Sequence, residues 1–129
     1  RYWDVRTNVC QGLLRRQCRP TVQFDPQGLL FAVGLDNNVV KLYDLRSFDK
    51  GPFATFQVPY SRPVTWNNMA FSRDGRHILL STFDNVIFML DSFTGDKLRE
   101  FTGHVNTNRL PLEACFSPDA SFVLSGSED

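Results

Sequence analysis

Apolar residues come in short bursts along this chain, and each burst stops at polar residues suited to turns. In the first full series the bursts run from Thr21 to Phe24, Leu29 to Val33, Val39 to Tyr43 and Phe53 to Phe56. A second series follows: Asn68 to Phe71, His77 to Ser81, Val86 to Leu90 and Leu98 to Phe101. A third begins with Leu112 to Phe116 and Phe122 to Ser125. These segments are short and rich in β-branched and aromatic residues, and no helical 3.6-residue period is sustained, so the pattern predicts strands. The second and third bursts of each series are nearly continuous instead of alternating, as expected for a sheet covered on both faces. A sheet stacked between two similar sheets meets that condition.

The bursts are ordered by repetition. Phe24-Asp25-Pro26-Gln27-Gly28, Phe71-Ser72-Arg73-Asp74-Gly75 and Phe116-Ser117-Pro118-Asp119-Ala120 are three versions of one phrase, with phenylalanines 47 and 45 residues apart. Each phrase lies between two apolar bursts. Asp25, Pro26 and Gly28 occupy the positions that a type I turn favours, which predicts strand, turn, strand. A second phrase also repeats at a spacing of 47. Asn37-Asn38-Val39-Val40-Lys41-Leu42-Tyr43-Asp44 aligns without a gap on Asp84-Asn85-Val86-Ile87-Phe88-Met89-Leu90-Asp91. Four strands per unit of about 45 residues is a repeat architecture.

Composition adds exclusions. The formal net charge is zero, so bulk electrostatics gives no argument for nucleic-acid or anionic-membrane binding. No apolar run approaches the roughly 18 residues of a membrane span. Three cysteines (Cys10, Cys18 and Cys115) and two histidines (His77 and His104) complete no zinc spacing, and the thiols read as buried or half-buried residues of a reducing compartment. Phosphate loops of the Gly-x-Gly-x-x-Gly and Gly-x-x-x-x-Gly-Lys kinds are absent. The sequence points to no cofactor and no enzyme.

Four strands per repeat, a terminal Trp-Asp and a Gly-His start resemble the WD40-repeat β-propeller. Trp3-Asp4, Tyr43-Asp44 and Leu90-Asp91 stand at the Trp-Asp position, and Gly103-His104 at the Gly-His position. The resemblance implies an all-β fold of about two and a half four-stranded blades out of an expected seven. On that reading residues 1–20 end one blade, 21–58 and 59–104 are complete blades, and 105–129 begin another. The chain is thus expected to be a fragment of a propeller. The resemblance also implies a buried hydrogen-bond chain, with His104, Ser125 or Ser127, and Asp129 as links; Asp84 matches Asp129.

One stretch is more specific than the repeat. Lys41-Leu42-Tyr43-Asp44-Leu45-Arg46-Ser47-Phe48-Asp49-Lys50-Gly51-Pro52-Phe53-Ala54-Thr55-Phe56, with Leu112-Glu113-Ala114-Cys115-Phe116-Ser117-Pro118-Asp119 and Gly126-Ser127-Glu128-Asp129, is similar to the WD-repeat subunits of COMPASS-type histone lysine methyltransferase complexes. That resemblance implies a non-catalytic nuclear adaptor. Its partners would be methyltransferase-complex subunits, the phosphorylated tail of RNA polymerase II, and a nuclear phosphatase complex or termination machinery.

Two classes of binding compete on the residues themselves. For a protein interface, Arg46, Phe48 and Lys50 combine an aromatic anchor with cations, and Arg62 and Trp66 offer a similar pair in the loop after a fourth strand. For nucleic acid, Arg15, Arg16 and Arg19 form the most basic cluster, but it is short and lacks interleaved aromatics. The protein interface is the better reading. A competing explanation for Phe48 and Trp66 is packing within the blade.

Overall fold

The computed structural model describes residues 1–15 and 18–129 and is almost entirely β structure. Twelve strands are present among the described residues. They are β1 (Tyr2–Asp4), β2 (Val9–Gly12), β3 (Thr21–Phe24), β4 (Leu30–Leu35), β5 (Val39–Asp44), β6 (Ala54–Gln57), β7 (Trp66–Phe71), β8 (His77–Thr82), β9 (Ile87–Asp91), β10 (Lys97–Phe101), β11 (Ala114–Phe116) and β12 (Val123–Ser125). All neighbours pair antiparallel in chain order. They make two four-stranded sheets, β3-β4-β5-β6 and β7-β8-β9-β10, and two two-stranded ones, β1-β2 and β11-β12. A 3-10 turn, Phe48–Lys50, interrupts the connection between β5 and β6. The sequence pattern does not anticipate it.

The near-continuous apolar runs are explained by what covers each face. Side chains alternate sides along a strand. In β8, Ile78 and Leu80 join a core shared with Val40, Leu42 and Phe56, whereas Leu79 joins a second core with Ile87 and Ala114. In β9, Phe88 and Leu90 face the first core while Ile87 and Met89 face the second. The β7–β10 sheet is therefore packed on both sides. Full burial of each such side chain contributes about 1.5–3 kcal/mol, so the stacking of sheets is the main source of cohesion.

The repeated turns are built alike. Gly28 donates to the Asp25 carbonyl (3.0 Å), Gly75 to that of Ser72 (2.9 Å) and Ala120 to that of Ser117 (2.9 Å). The fourth residue of each turn is left-handed, with φ of 70°, 73° and 58° at Gly28, Gly75 and Ala120. Glycine takes that conformation freely and alanine takes it under strain. Side chains reinforce the bend. The Ser72 hydroxyl donates to Asp74 (2.6 Å) and accepts the His77 N–H (3.0 Å). The Ser117 hydroxyl likewise donates to Asp119 (2.5 Å) and accepts the Phe122 N–H (3.0 Å).

These turns and the β5–β6 and β9–β10 connections lie on one rim of the stack. The opposite rim carries the β4–β5 and β8–β9 turns with segments 58–65 and 102–113.

Candidate functional site

No set of three His, Cys, Asp or Glu side chains that could hold a metal ion occurs among the described residues. The polar groups are instead organised as clamps along the two rims.

On the first rim, Asp4, Asp44 and Asp91 follow one rule. Each ends a strand and accepts the backbone N–H of the residue two positions on, at 2.8 Å from Arg6, Arg46 and Phe93. The Arg6 guanidinium folds back onto Asp4 (2.9 Å), and that of Arg46 onto Asp44 (3.4 Å). The Asp of the Trp-Asp position is therefore a turn-former. Where the first two copies carry arginine, the third carries Phe93, which is 78% exposed.

The second rim holds longer-range clamps. Asn38 is buried in the left-handed region (φ 62°). Its side-chain carbonyl accepts the Val64 N–H (2.8 Å), and its amide donates to the Arg62 carbonyl (3.1 Å). At the aligned position, the Asn85 side chain accepts the Asn106 N–H (2.6 Å). Buried Asn106 in turn holds Leu110 through both its amide atoms (2.7 and 2.9 Å). Each clamp ties a turn of one sheet to the segment leading into the next. The recurrence of Asn38 and Asn85 at a spacing of 47 is the signal that the sequence offers for these clamps.

Asp84 sits between Arg62 and Arg109, 3.5 Å from each guanidinium, and both arginine side chains are well exposed. Asp84 itself is largely covered, but with both guanidiniums in solvent each pair is screened and contributes little to stability, typically about 0–1 kcal/mol. Arg109 also has a left-handed backbone (φ 54°). Half-buried Lys97 lies over Phe88 and Tyr60, 5.8 and 6.0 Å from the ring centroids, and donates to the Pro59 carbonyl (2.7 Å).

Two of the expected links, Ser127 and Asp129, meet at an exposed position and not in a buried chain. The Ser127 hydroxyl bonds Asp129 and accepts the Val105 N–H (3.0 Å). Val105, the neighbour of His104, makes the contact by its backbone, and no hydrogen bond joins the His104 ring to these groups among the described residues. Ser125 is exposed and pairs with Ala114 in the ladder. Trp3 is half-exposed opposite Cys10, whereas Tyr43 is buried and stacked on Phe31 at 5.1 Å.

The interface candidates divide. Arg46, Lys50 and Arg62 are exposed. Trp66 is not a loop residue: it opens β7, is only 4% exposed, and donates its indole N–H to the Val39 carbonyl (3.3 Å). Gly34 leaves the room that its ring fills. Phe48 is half-buried, 6.3 Å from Phe31 and 6.4 Å from Tyr2, and covers Gly12 so closely that a Cβ there would overlap its ring. Both aromatics pack within the stack, which removes Trp66 as an interface candidate and leaves Phe48 mainly a packing residue. In the basic cluster, Arg19 lies over the Phe83 ring at 5.0 Å, and Arg16 falls outside the described residues.

Several turn carboxylates are held below their ordinary pKa. The Ser117 hydroxyl and then the Ser121 N–H bring Asp119 from 3.8 to about 2. The Ser72 hydroxyl lowers Asp74, and the Thr94 and Phe93 N–H groups lower Asp91. A carboxylate depressed on folding stabilises above its unfolded pKa, and that contribution is lost as pH falls through the folded value. The midpoint of urea unfolding is therefore expected to be flat at neutral pH and to fall between about pH 4 and pH 2. Asp119→Asn should remove part of that slope; a midpoint unchanged across this window would contradict the assignment.

Comparison with known proteins places this geometry. The WD domain, G-beta repeat, matches residues 95–129. WD repeat-containing protein 82 of Drosophila melanogaster is 50% identical over 129 residues, covering all of this chain and 41% of the relative. The Set1 complex component swd2 of Schizosaccharomyces pombe is 32% identical over 137 aligned positions (100% of this chain, 38% of the relative). The COMPASS component SWD2 of Saccharomyces cerevisiae is 31% identical over 137 (100% and 41%). The chain spans about two fifths of the length of these relatives.

Proposed function

We propose, from the premise that this is a WD40-repeat β-propeller chain resembling WD repeat-containing protein 82 and the Swd2 components along its whole length, that it serves as a non-catalytic adaptor in a nuclear Set1/COMPASS-type histone methyltransferase complex. The observation that carries the reading is the similarity, over the whole chain, to relatives named as components of such complexes. Repeat spacing alone would mark only a propeller. The sheets fit the role, because each rim is a row of turns fixed by side-chain clamps, and rigid scaffolds present loops for binding. Residues 21–58 and 59–104 act as two blades of that scaffold. A link to the phosphorylated tail of RNA polymerase II, and membership of a nuclear phosphatase complex, are the finer parts of the same proposal.

Affinity purification of the full-length protein, followed by mass spectrometry, tests it. Methyltransferase-complex subunits should co-purify and stay bound at high salt. If instead RNA is the main ligand and its affinity falls steeply with salt, the adaptor reading is wrong.

The β5–β6 connection is the first place to look for contacts. Lys50→Glu should weaken methyltransferase-subunit binding about fivefold or more, about 1 kcal/mol, at an unchanged melting temperature. Phe48→Ala should instead lower stability by about 1–3 kcal/mol, because it empties the space between Tyr2 and Phe31. Unchanged binding in Lys50→Glu would leave this loop a connector.

A further inference from the structure

In both four-stranded sheets the last strand pairs on one side and is open on the other. The two open edges differ. β10 carries Lys97, Arg99 and Glu100, and its register breaks between Lys97 and Arg99. Charges and bulges are how proteins keep an edge from pairing with other chains. β6 carries no charge, and its irregularity is confined to its start, where the Phe53 N–H reaches the carbonyl of Leu42, the partner of Ala54 (3.0 Å). Ala54, Thr55, Phe56 and Gln57 are uncharged and run in unbroken register against Lys41 and its neighbours.

Its open hydrogen-bonding groups can be named. The Val58 N–H is bonded to the Asn38 carbonyl at 2.8 Å. Antiparallel alternation from there turns Phe56 and Ala54 inward, to β5, and the N–H and C=O of Thr55 and Gln57 outward. Both outward residues are exposed. Beside the start of the strand stands Phe53, 58% exposed. On the other face Gly95 abuts the Phe56 ring, so that β6 is braced by the neighbouring sheet.

We propose that the open side of β6 receives an extended segment of a methyltransferase-complex subunit as an added fifth strand. The inference rests on the adaptor reading above and names the surface that would serve it. The absence of charge along the edge selects a segment of low net charge, with alternate residues turned the same way. Phe53 selects an apolar residue near one end. Main-chain bonds to Thr55 and Gln57 provide affinity, and Phe53 provides the register.

The test uses the full-length protein and overlapping synthetic peptides tiled across the methyltransferase subunit that co-purifies with it. A binding peptide should slow hydrogen exchange at the Thr55 and Gln57 amides about tenfold or more. N-methylation of its backbone at one set of alternate residues should weaken binding about tenfold, and methylation of the other set should not. Thr55→Lys should weaken the same peptide at an unchanged melting temperature. Tight peptide binding with protection elsewhere, or with neither methylated set affected, overturns strand addition and leaves the adaptor reading standing. No binding by any peptide, when the intact subunit also fails to bind, overturns both. Binding of the intact subunit without protection at Thr55 and Gln57 overturns strand addition alone. Exchange protection that rises with protein concentration in the absence of peptide assigns the edge to a second copy and also overturns it.

Discussion

Alanine at position 66 is expected to destabilise the protein by about 3–5 kcal/mol, the range for removing a fully packed large aromatic. Trp66 joins the first core from the opening of β7, with its ring edge-on to Phe88 at a centroid distance of 6.0 Å. Its indole N–H reaches back to the preceding sheet, at Val39. Removing the side chain therefore opens a cavity at the junction of two sheets and strips a carbonyl of a donor. Trp66→Phe keeps most of the ring and loses the hydrogen bond, so it should cost about 1–2 kcal/mol. Urea unfolding followed by far-ultraviolet circular dichroism measures both. A shift below about 1 kcal/mol for the alanine variant would mean that Trp66 is not the inter-sheet post described here.

The same residue shows where a linear reading of the chain stops. Strands and turns were legible because their causes are local. Pro26 and Gly28 suit a turn, Val39 and Val40 suit a strand, and the spacing of 47 repeats both. Two-sided burial was legible too, since continuous runs such as Ile78-Leu79-Leu80 leave no polar face to turn outward. Trp66 carries no such sign. It follows Arg62-Pro63-Val64-Thr65 and precedes two asparagines, a context typical of an exposed loop, and its burial depends on Gly34, on a different sheet. Phe48 is similar: its partners Tyr2 and Phe31 lie far away in the chain. Exposure is thus legible for the charged candidates Arg46, Lys50 and Arg62, where solvation nearly guarantees it, and not for the aromatics, whose place is decided by distant partners.

The rim clamp at Asn38 should show comparable sensitivity, and by a different mechanism. Asn38→Ala is expected to cost about 3–5 kcal/mol in total, from two separable sources. One is the loss of partners for the Val64 N–H and the Arg62 carbonyl; a buried group left unsatisfied costs about 1–3 kcal/mol. The other is the backbone, because alanine at φ 62° takes on about 1–2 kcal/mol of steric strain that asparagine tolerates better. Asn38→Gly separates them: it loses the same hydrogen bonds but relieves the strain, and so should lie about 1 kcal/mol or more above alanine. Asn38→Asp keeps the acceptor for Val64 and loses the donor to Arg62, placing a carboxylate where a neutral amide is buried. It should therefore be destabilising at neutral pH and recover as the carboxyl protonates in acid. If all three variants unfold at the midpoint of the parent, the asparagine is a turn-former only. If glycine and alanine are equal and both weak, the hydrogen bonds and not the strain account for what remains. A clear order of glycine above alanine, with aspartate rising in acid, identifies the side chain as the tie between one sheet's turn and the segment that leads into the next.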